Sequence, residues 1–253
     1  MNGFWIWWCR PVPRARPAKL STAGRFLPQR NQDGTTLADD PTSTSRKRDA
    51  ARTKATILRS AVAEFAQHGP AGTRVDEIAI RAGVNKSLIY QYFGSKQELY
   101  ADVLADVLTR ATEHFASLAQ ESVAASETET FQDKVGVFMR GHLRALDAMP
   151  EYPRLMAWEN LEGGKTLAQP QVRRAFLALL DRLQQMLKGL ADRGVKIADA
   201  DPRHVMLSAM ALNQYFVLFK TVSQDVLRVS DTEQGNRDSW VDFCSRMYGG
   251  LAR

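Results

Sequence analysis

Between Thr73 and Lys96 the chain reads TRVDEIAIRAGVNKSLIYQYFGSK, and this stretch narrows the choice of fold more than any other: it encodes two short helices separated by a glycine. Thr73 followed three residues later by Asp76 has capping-box spacing, so a helix is expected to start there, with Val75, Ile78, Ala79 and Ala82 along one face. Gly83 suits a left-handed stop. Asn85 can cap a second helix whose Ile89 and Phe93, one turn apart, dock on the first. Lys86, Ser87, Tyr90 and Tyr92 are then left on the outer face and the N-terminal turn, where a helix-turn-helix presents side chains to the major groove. An ammonium and phenol hydroxyls in that place can meet phosphate oxygens or base edges. Pairs of short amphipathic helices joined at a glycine also occur away from DNA, so the surroundings have to decide.

The surroundings extend the motif. Residues 51–68 form an amphipathic pattern with Ile57, Leu58, Ala61, Val62 and Phe65 on one side, ending at Gly69 and Pro70. Another helix is expected from about Lys96, with Leu99, Val103, Leu104 and Val107 inward. Thr73, Ile78, Ala79, Ala82, Gly83, Val84, Tyr90, Tyr92, Phe93, Ser95, Lys96 and Leu99 together resemble the N-terminal signature of the tetracycline-repressor-like (TetR) transcriptional regulators. The resemblance implies that Thr73, Tyr90 and Lys96 contact phosphates while Lys86, Ser87, Leu88 and Tyr92 lie near base edges; Arg74, Asn85 and Gln91 complete the candidate DNA-binding set on this motif. The chain departs from the family pattern at Asn85, usually Ser, at Ser87, usually Gly, and at Leu88, usually a small hydroxyl residue. Leu88 can offer a thymine methyl an apolar contact and nothing more. These departures bear on the operator sequence rather than on the mode of binding.

Charge is distributed in keeping with that division. Residues 46–96 carry ten Lys or Arg against four Asp or Glu, whereas residues 97–253 carry eighteen against twenty-one. A basic arm ahead of the motif, with Arg46, Lys47, Arg48, Arg52 and Lys54, can neutralise phosphates, each contact adding salt dependence. At 253 residues and 44% hydrophobic composition the chain can bury a second, larger core. The expected organisation is a disordered tail over 1–45, a helix-turn-helix DNA-binding domain over 46–96, and a helical ligand-binding and dimerisation domain over 97–253. The tail carries five prolines and no sustained periodicity, and its opening FWIWW run is too short, with charges on the wrong side, for a signal peptide. Initiation downstream of Met1 is the other way to account for three tryptophans in a polar tail. No window approaches the roughly 20 apolar residues a membrane span needs, so a cytoplasmic protein is expected. Cys9 and Cys244 read as reduced thiols.

Beyond Lys96 the pattern is helical throughout and no strand pattern appears, so the fold class is all-α. Residues 131–149 place Val135, Phe138, His142 and Leu146 on one face, residues 172–190 place Phe176, Leu179, Leu183 and Met186 on another, and 202–222 is apolar nearly all round. The elements over 201–222 and 238–251 resemble the two C-terminal helices that build four-helix dimer interfaces in the family, which implies a homodimer on a two-fold operator. Residues 152–167 resemble a variant of the family's effector domain. Phe138, His142, Met156, Trp158, Phe176, Met186, Met210, Asn213 and Phe216 are the candidates for lining an apolar cavity with a few polar handles, suited to a small hydrophobic or aromatic effector. An enzyme is not expected. His68, His114, His142 and His204 are scattered, Asp201 before Pro202 reads as a helix cap, and no metal-ligand, phosphate-loop or nucleophile pattern is present, so no catalytic residue, metal or cofactor is assigned. The reading is a ligand-responsive repressor, with a helical small-molecule-binding protein or a ligand-independent DNA-binding activator as the alternatives.

Overall fold

A helix needs a periodic apolar face, a start and a stop, and the sequence supplies these in succession. The computed structural model describes residues 41–124, 130–192, 202–220, 222–226, 228 and 234–250, and among them all regular structure is helical. Helix α1 spans Pro41–Gly72 and is broken at Gly69, whose φ of 69° and ψ of 172° leave the helical region. Helices α2 (Val75–Ala82) and α3 (Lys86–Phe93) follow, then the long α4 (Lys96–Ala124). The remaining elements are α5 (Phe131–Ala148), α6 (Glu151–Leu161), a 3-10 turn Thr166–Ala168, α7 (Pro170–Asp192), α8 (Pro202–Leu218), a π-helical turn Val222–Val226, and α9 (Gln234–Gly249).

One core layer belongs to the N-terminal helices. Ile57, Ala61 and Phe65 of α1 meet Ile78 of α2, Ile89 and Phe93 of α3, and Leu99 and Val103 of α4, all at most 6% exposed. The Phe65 and Tyr100 rings lie 5.0 Å apart. At roughly 1.5–3 kcal/mol for each fully buried large apolar side chain, this layer is what holds two eight-residue helices that could not persist alone. The second layer packs α4 against α7 and α5, and α5 against α8 and α9. Met139, Leu143, Leu146, Leu155, Val172, Val241 and Cys244 fill it. Burial pushes the Cys244 thiol up to about 11, which keeps it an inert packing group.

Three expectations change here. The segment 41–45 was assigned to the tail but forms the start of α1, with Pro41 in the first-turn position that tolerates a missing N–H; the tail reading over 1–40 lies outside the described residues. Thr73 is not the cap of α2. Arg74 holds that position without a side-chain cap, because the Thr73 hydroxyl donates backwards to the carbonyls of Gly69 at 2.7 Å and Glu64 at 3.1 Å, and Asp76 turns instead to Lys86. The third is the break expected over 230–236: residues 234–236 form the first turn of α9, whereas 230–233, and the break expected over 194–201, lie outside the described residues.

Candidate functional site

The turn between α2 and α3 is built from backbone geometry. Gly83 adopts φ 67°, and Val84 donates to the Ala79 carbonyl at 3.1 Å, closing α2 with a left-handed cap. Asn85 then caps α3: its Oδ1 accepts from the Leu88 amide at 2.9 Å and from the Ser87 hydroxyl at 2.6 Å. Ile89 and Phe93 turn inward and are buried. Lys86, Ser87, Tyr90 and Gln91 turn outward and are exposed, while Leu88 sits half-buried at the margin. Tyr92, expected on the outer face, is half-buried and packs against the core.

Electrostatics at this face are simple. The Lys86 ammonium pairs with Asp76 at 2.9 Å, and that partner raises its pKa. Both side chains are solvated, so the pair is weak and Lys86 can leave it for a phosphate or a base edge. Lys96, at the start of α4, is half-buried and donates to the Ala71 carbonyl at 3.3 Å; burial lowers its pKa. Arg74 is exposed beside α2, and Arg48 is exposed on α1; the side chains of Arg46 and Lys47 lie outside the described residues. Thr73 must be removed from the phosphate-contacting set, since it is 2% exposed and both its amide and its hydroxyl are engaged within the protein.

The effector candidates divide. Four of them gather in one place. His142 on α5 and Asn213 on α8 are fully buried, their Nδ1 and Nδ2 atoms 3.3 Å apart. Phe138 stacks on the His142 ring at 5.8 Å. Phe216 stacks at 4.9 Å on Trp240, whose Nε1–H donates to Asn213 Oδ1 at 3.1 Å. Phe115 of α4 completes the cluster at 5.3 Å from His142. Trp240 and Phe115 were missed because one falls in a segment read as a dimer helix and the other in the tail of a long helix. Met210 is buried and Met156 and Phe176 are half-buried against the same core; the Met186 side chain lies outside the described residues. Trp158 of α6 instead packs on the break in α1 at Gly69.

Burial drives the His142 imidazole down to about 3 from its ordinary 6.5. The native state therefore binds fewer protons here than the unfolded chain does at any pH between those values. Stability from this group is intact near neutrality and is lost as pH falls from about 6.5 towards about 3. Between pH 7 and pH 5 the wild type is expected to lose about 2 kcal/mol more than His142→Phe, read from urea unfolding at the two pH values.

Comparison with known proteins joins these features. A family profile described as bacterial regulatory proteins, tetR family, matches residues 57–103, and another described as tetracyclin repressor-like, C-terminal domain, matches residues 132–247. The HTH-type transcriptional regulator RutR of Escherichia coli strain K12 is 30% identical over 185 residues, 70% of this chain and 80% of RutR. The chain belongs to the TetR family. It is a DNA-binding transcriptional regulator and not an enzyme. The HTH-type transcriptional repressor SCO4008 of Streptomyces coelicolor is 41% identical over 117 residues, 46% of this chain, which spans 54% of that relative's length. The crystal structure of a TetR-family regulator from Mesorhizobium loti has the same fold, with a TM-score of 0.56 at 20% identity over 79% of this chain and 96% of that one.

In this TetR-family regulator the break in α1 is one place where the helix-turn-helix meets the C-terminal helices. Trp158 of α6 donates from Nε1 to the Ala66 carbonyl of α1 at 3.3 Å and lays its ring over Gly69. It is a wedge on the α1 break rather than a wall of the aromatic cluster. The next residue, Glu159, is 1% exposed, and its Oε1 accepts from the amides of Thr166 at 2.6 Å and Leu167 at 3.2 Å, fixing the connection from α6 to α7. Burial, and then the Glu159 carboxylate it faces, push the Tyr100 phenol of α4 far up, although neither the Tyr100 hydroxyl nor Glu159 Oε2 completes a well-formed hydrogen bond. Glu64 of α1, 6% exposed, binds Arg81 of α2 at 2.7 Å. The break, the wedge and the start of α2 thus form one continuous set of contacts.

Proposed function

We propose that this TetR-family regulator is a ligand-responsive repressor that binds a two-fold operator as a homodimer, each protomer placing α3 in one of two successive major grooves about 34 Å apart. The observation that carries the reading is the split of α3: Ile89 and Phe93 anchor it, and Lys86, Ser87, Tyr90 and Gln91 project into solvent. Arg74, Asn85, Leu88, Tyr92 and Lys96 stand at the edges of that face, and Arg46, Lys47 and Arg48 on α1 supply further positive charge.

Dimerisation is supported by apolar side chains left in solvent on the last helices. Tyr215 and Phe219 stack at 4.1 Å while 55% and 44% exposed, and Leu207, Phe243 and Met247 are 58%, 55% and 46% exposed on α8 and α9. Large apolar groups concentrated on two adjacent helices mark an interface. Among the described residues no helix is long and apolar enough to cross a membrane, which agrees with a cytoplasmic site of action on DNA. The effector is a small hydrophobic or aromatic molecule held in the cluster around His142 and Asn213. It lowers operator affinity by binding one arrangement of the two helix-turn-helix units better than the other. The joint at Gly69 and Trp158 is the path by which a change around α6 reaches α2 and α3.

Binding of purified protein to a duplex from its own upstream region tests this. Lys86→Ala should weaken the operator complex by about 1–3 kcal/mol and change base preference at its position. Lys96→Ala should weaken operator and random duplex alike and reduce the salt slope by about one. Wild-type affinity in both variants would contradict the docking of α3.

A further inference from the structure

The hydrogen bonds around His142 fix where its proton lies, and through it the chemistry of the molecule that this cluster can hold. Trp240 Nε1 is a donor only, so the Asn213 atom it meets at 3.1 Å is the amide oxygen. The Asn213 nitrogen then donates to the Met139 carbonyl at 2.9 Å, an acceptor only. Its second hydrogen points to His142 Nδ1 at 3.3 Å. Nδ1 is therefore the acceptor nitrogen, and the imidazole proton belongs to Nε2. Three elements cooperate in this assignment: α9 orients the amide of α8, and α8 sets the tautomer of α5.

Among the described residues Nε2–H is left without a partner, on a residue that is fully buried. Its surroundings are apolar. Phe115 and Phe138 flank the ring at 5.3 Å and 5.8 Å. The imidazole stays uncharged across the physiological range, so it offers a directed neutral donor and no attraction for an anion as such. An unsatisfied buried donor destabilises a fold, and such groups are characteristic of places where something else completes the bond.

We infer that the effector of this regulator is a flat, apolar molecule carrying a neutral acceptor oxygen, a ketone, amide or lactam carbonyl, that takes the hydrogen bond from His142 Nε2–H between the Phe115 and Phe138 rings. The inference rests on the reading of the C-terminal helices as an effector-binding domain and adds the polarity and charge of the ligand.

The test uses full-length protein labelled with 15N-histidine and two shape-matched probes, 1-indanone and indane, which differ by one carbonyl. The free protein should show His142 as the neutral Nε2–H tautomer between pH 5 and pH 8. Addition of 1-indanone should move that N–H proton downfield, with binding at least tenfold tighter than that of indane. His142→Phe should bring the two probes within twofold of each other. A proton on Nδ1, an N–H already hydrogen-bonded in the probe-free protein by an internal water, equal response to the two probes, or no response to either would overturn the inference; the wild-type readings stand even if the variant fails to fold. Operator binding is measured beside these. Probe binding at His142 with unchanged operator affinity would leave the site intact and refute ligand-responsive repression, whereas operator release by some other compound without a His142 response would do the reverse.

Discussion

Gly69→Ala is expected to cost the regulator about 3 kcal/mol of stability and most of its operator affinity. Gly69 holds φ 69° with ψ 172°, a region open essentially to glycine, and forcing another residue there costs on the order of 1–3 kcal/mol. The new Cβ would also lie 2.8 Å from Cδ2 and Cε3 of the Trp158 ring, a rigid neighbour that cannot yield without moving α6, which adds overpacking of about 1–3 kcal/mol. At roughly 2–4 °C per kcal/mol for a chain of this size, the melting temperature should fall by about 10 °C. Because the Gly69 carbonyl accepts from both the amide and the hydroxyl of Thr73, displacement of the break shifts the start of α2 and with it α3. Trp158→Ala in the Gly69→Ala background should return the steric part and leave the backbone part, so thermal unfolding of the two single variants and the double variant separates them. Unchanged melting in Gly69→Ala would mean that α6 does not press on the break.

Glu159→Ala should be the next most damaging change, at about 3 kcal/mol. It removes the acceptor for two backbone amides, each charged hydrogen bond being worth roughly 1.5–3 kcal/mol, and opens space in a buried site; the relief of desolvating a carboxylate offsets part of this. Glu159→Gln keeps an oxygen towards Thr166 and Leu167 and presents an amide to the Tyr100 hydroxyl, so it should remain within about 1 kcal/mol of wild type. Urea unfolding at neutral pH distinguishes the two. Equal losses for Ala and Gln would show that the charge, and not the acceptor geometry, holds the connection between α6 and α7.

The helix-turn-helix was legible because its determinants are local. Gly83, Asn85, Ile89 and Phe93 act within a few residues of themselves, and periodicity finds them. Thr73 was misread for an instructive reason: a capping-box spacing describes what a hydroxyl could do, while a nearer set of carbonyls on α1 decided what it does. Tyr92 was placed on the outer face but lies one position before the buried Phe93 and is half-buried against the core. The inner site was legible in part. His142, Phe138, Asn213 and Phe216 share apolar faces that sequence spacing reveals, but their meeting with Trp240 joins residues up to 102 positions apart, and nothing local encodes it. Trp158 shows the converse. Its aromatic character suggested a cavity wall, and only the pairing of α6 with the α1 break gives it a different task.

The exposed face of α3 can be tested with a single isosteric charge. Gln91→Glu adds one negative charge to that face without altering its packing, and Gln184→Glu adds the same charge to an exposed position on α7. Affinity for a duplex from the regulator's own upstream region, measured by fluorescence anisotropy at about 0.1 M salt, should fall tenfold or more for Gln91→Glu, on the face proposed to meet DNA, and stay within twofold for Gln184→Glu. Equal affinities for the two variants would place the DNA on some other surface of the protein.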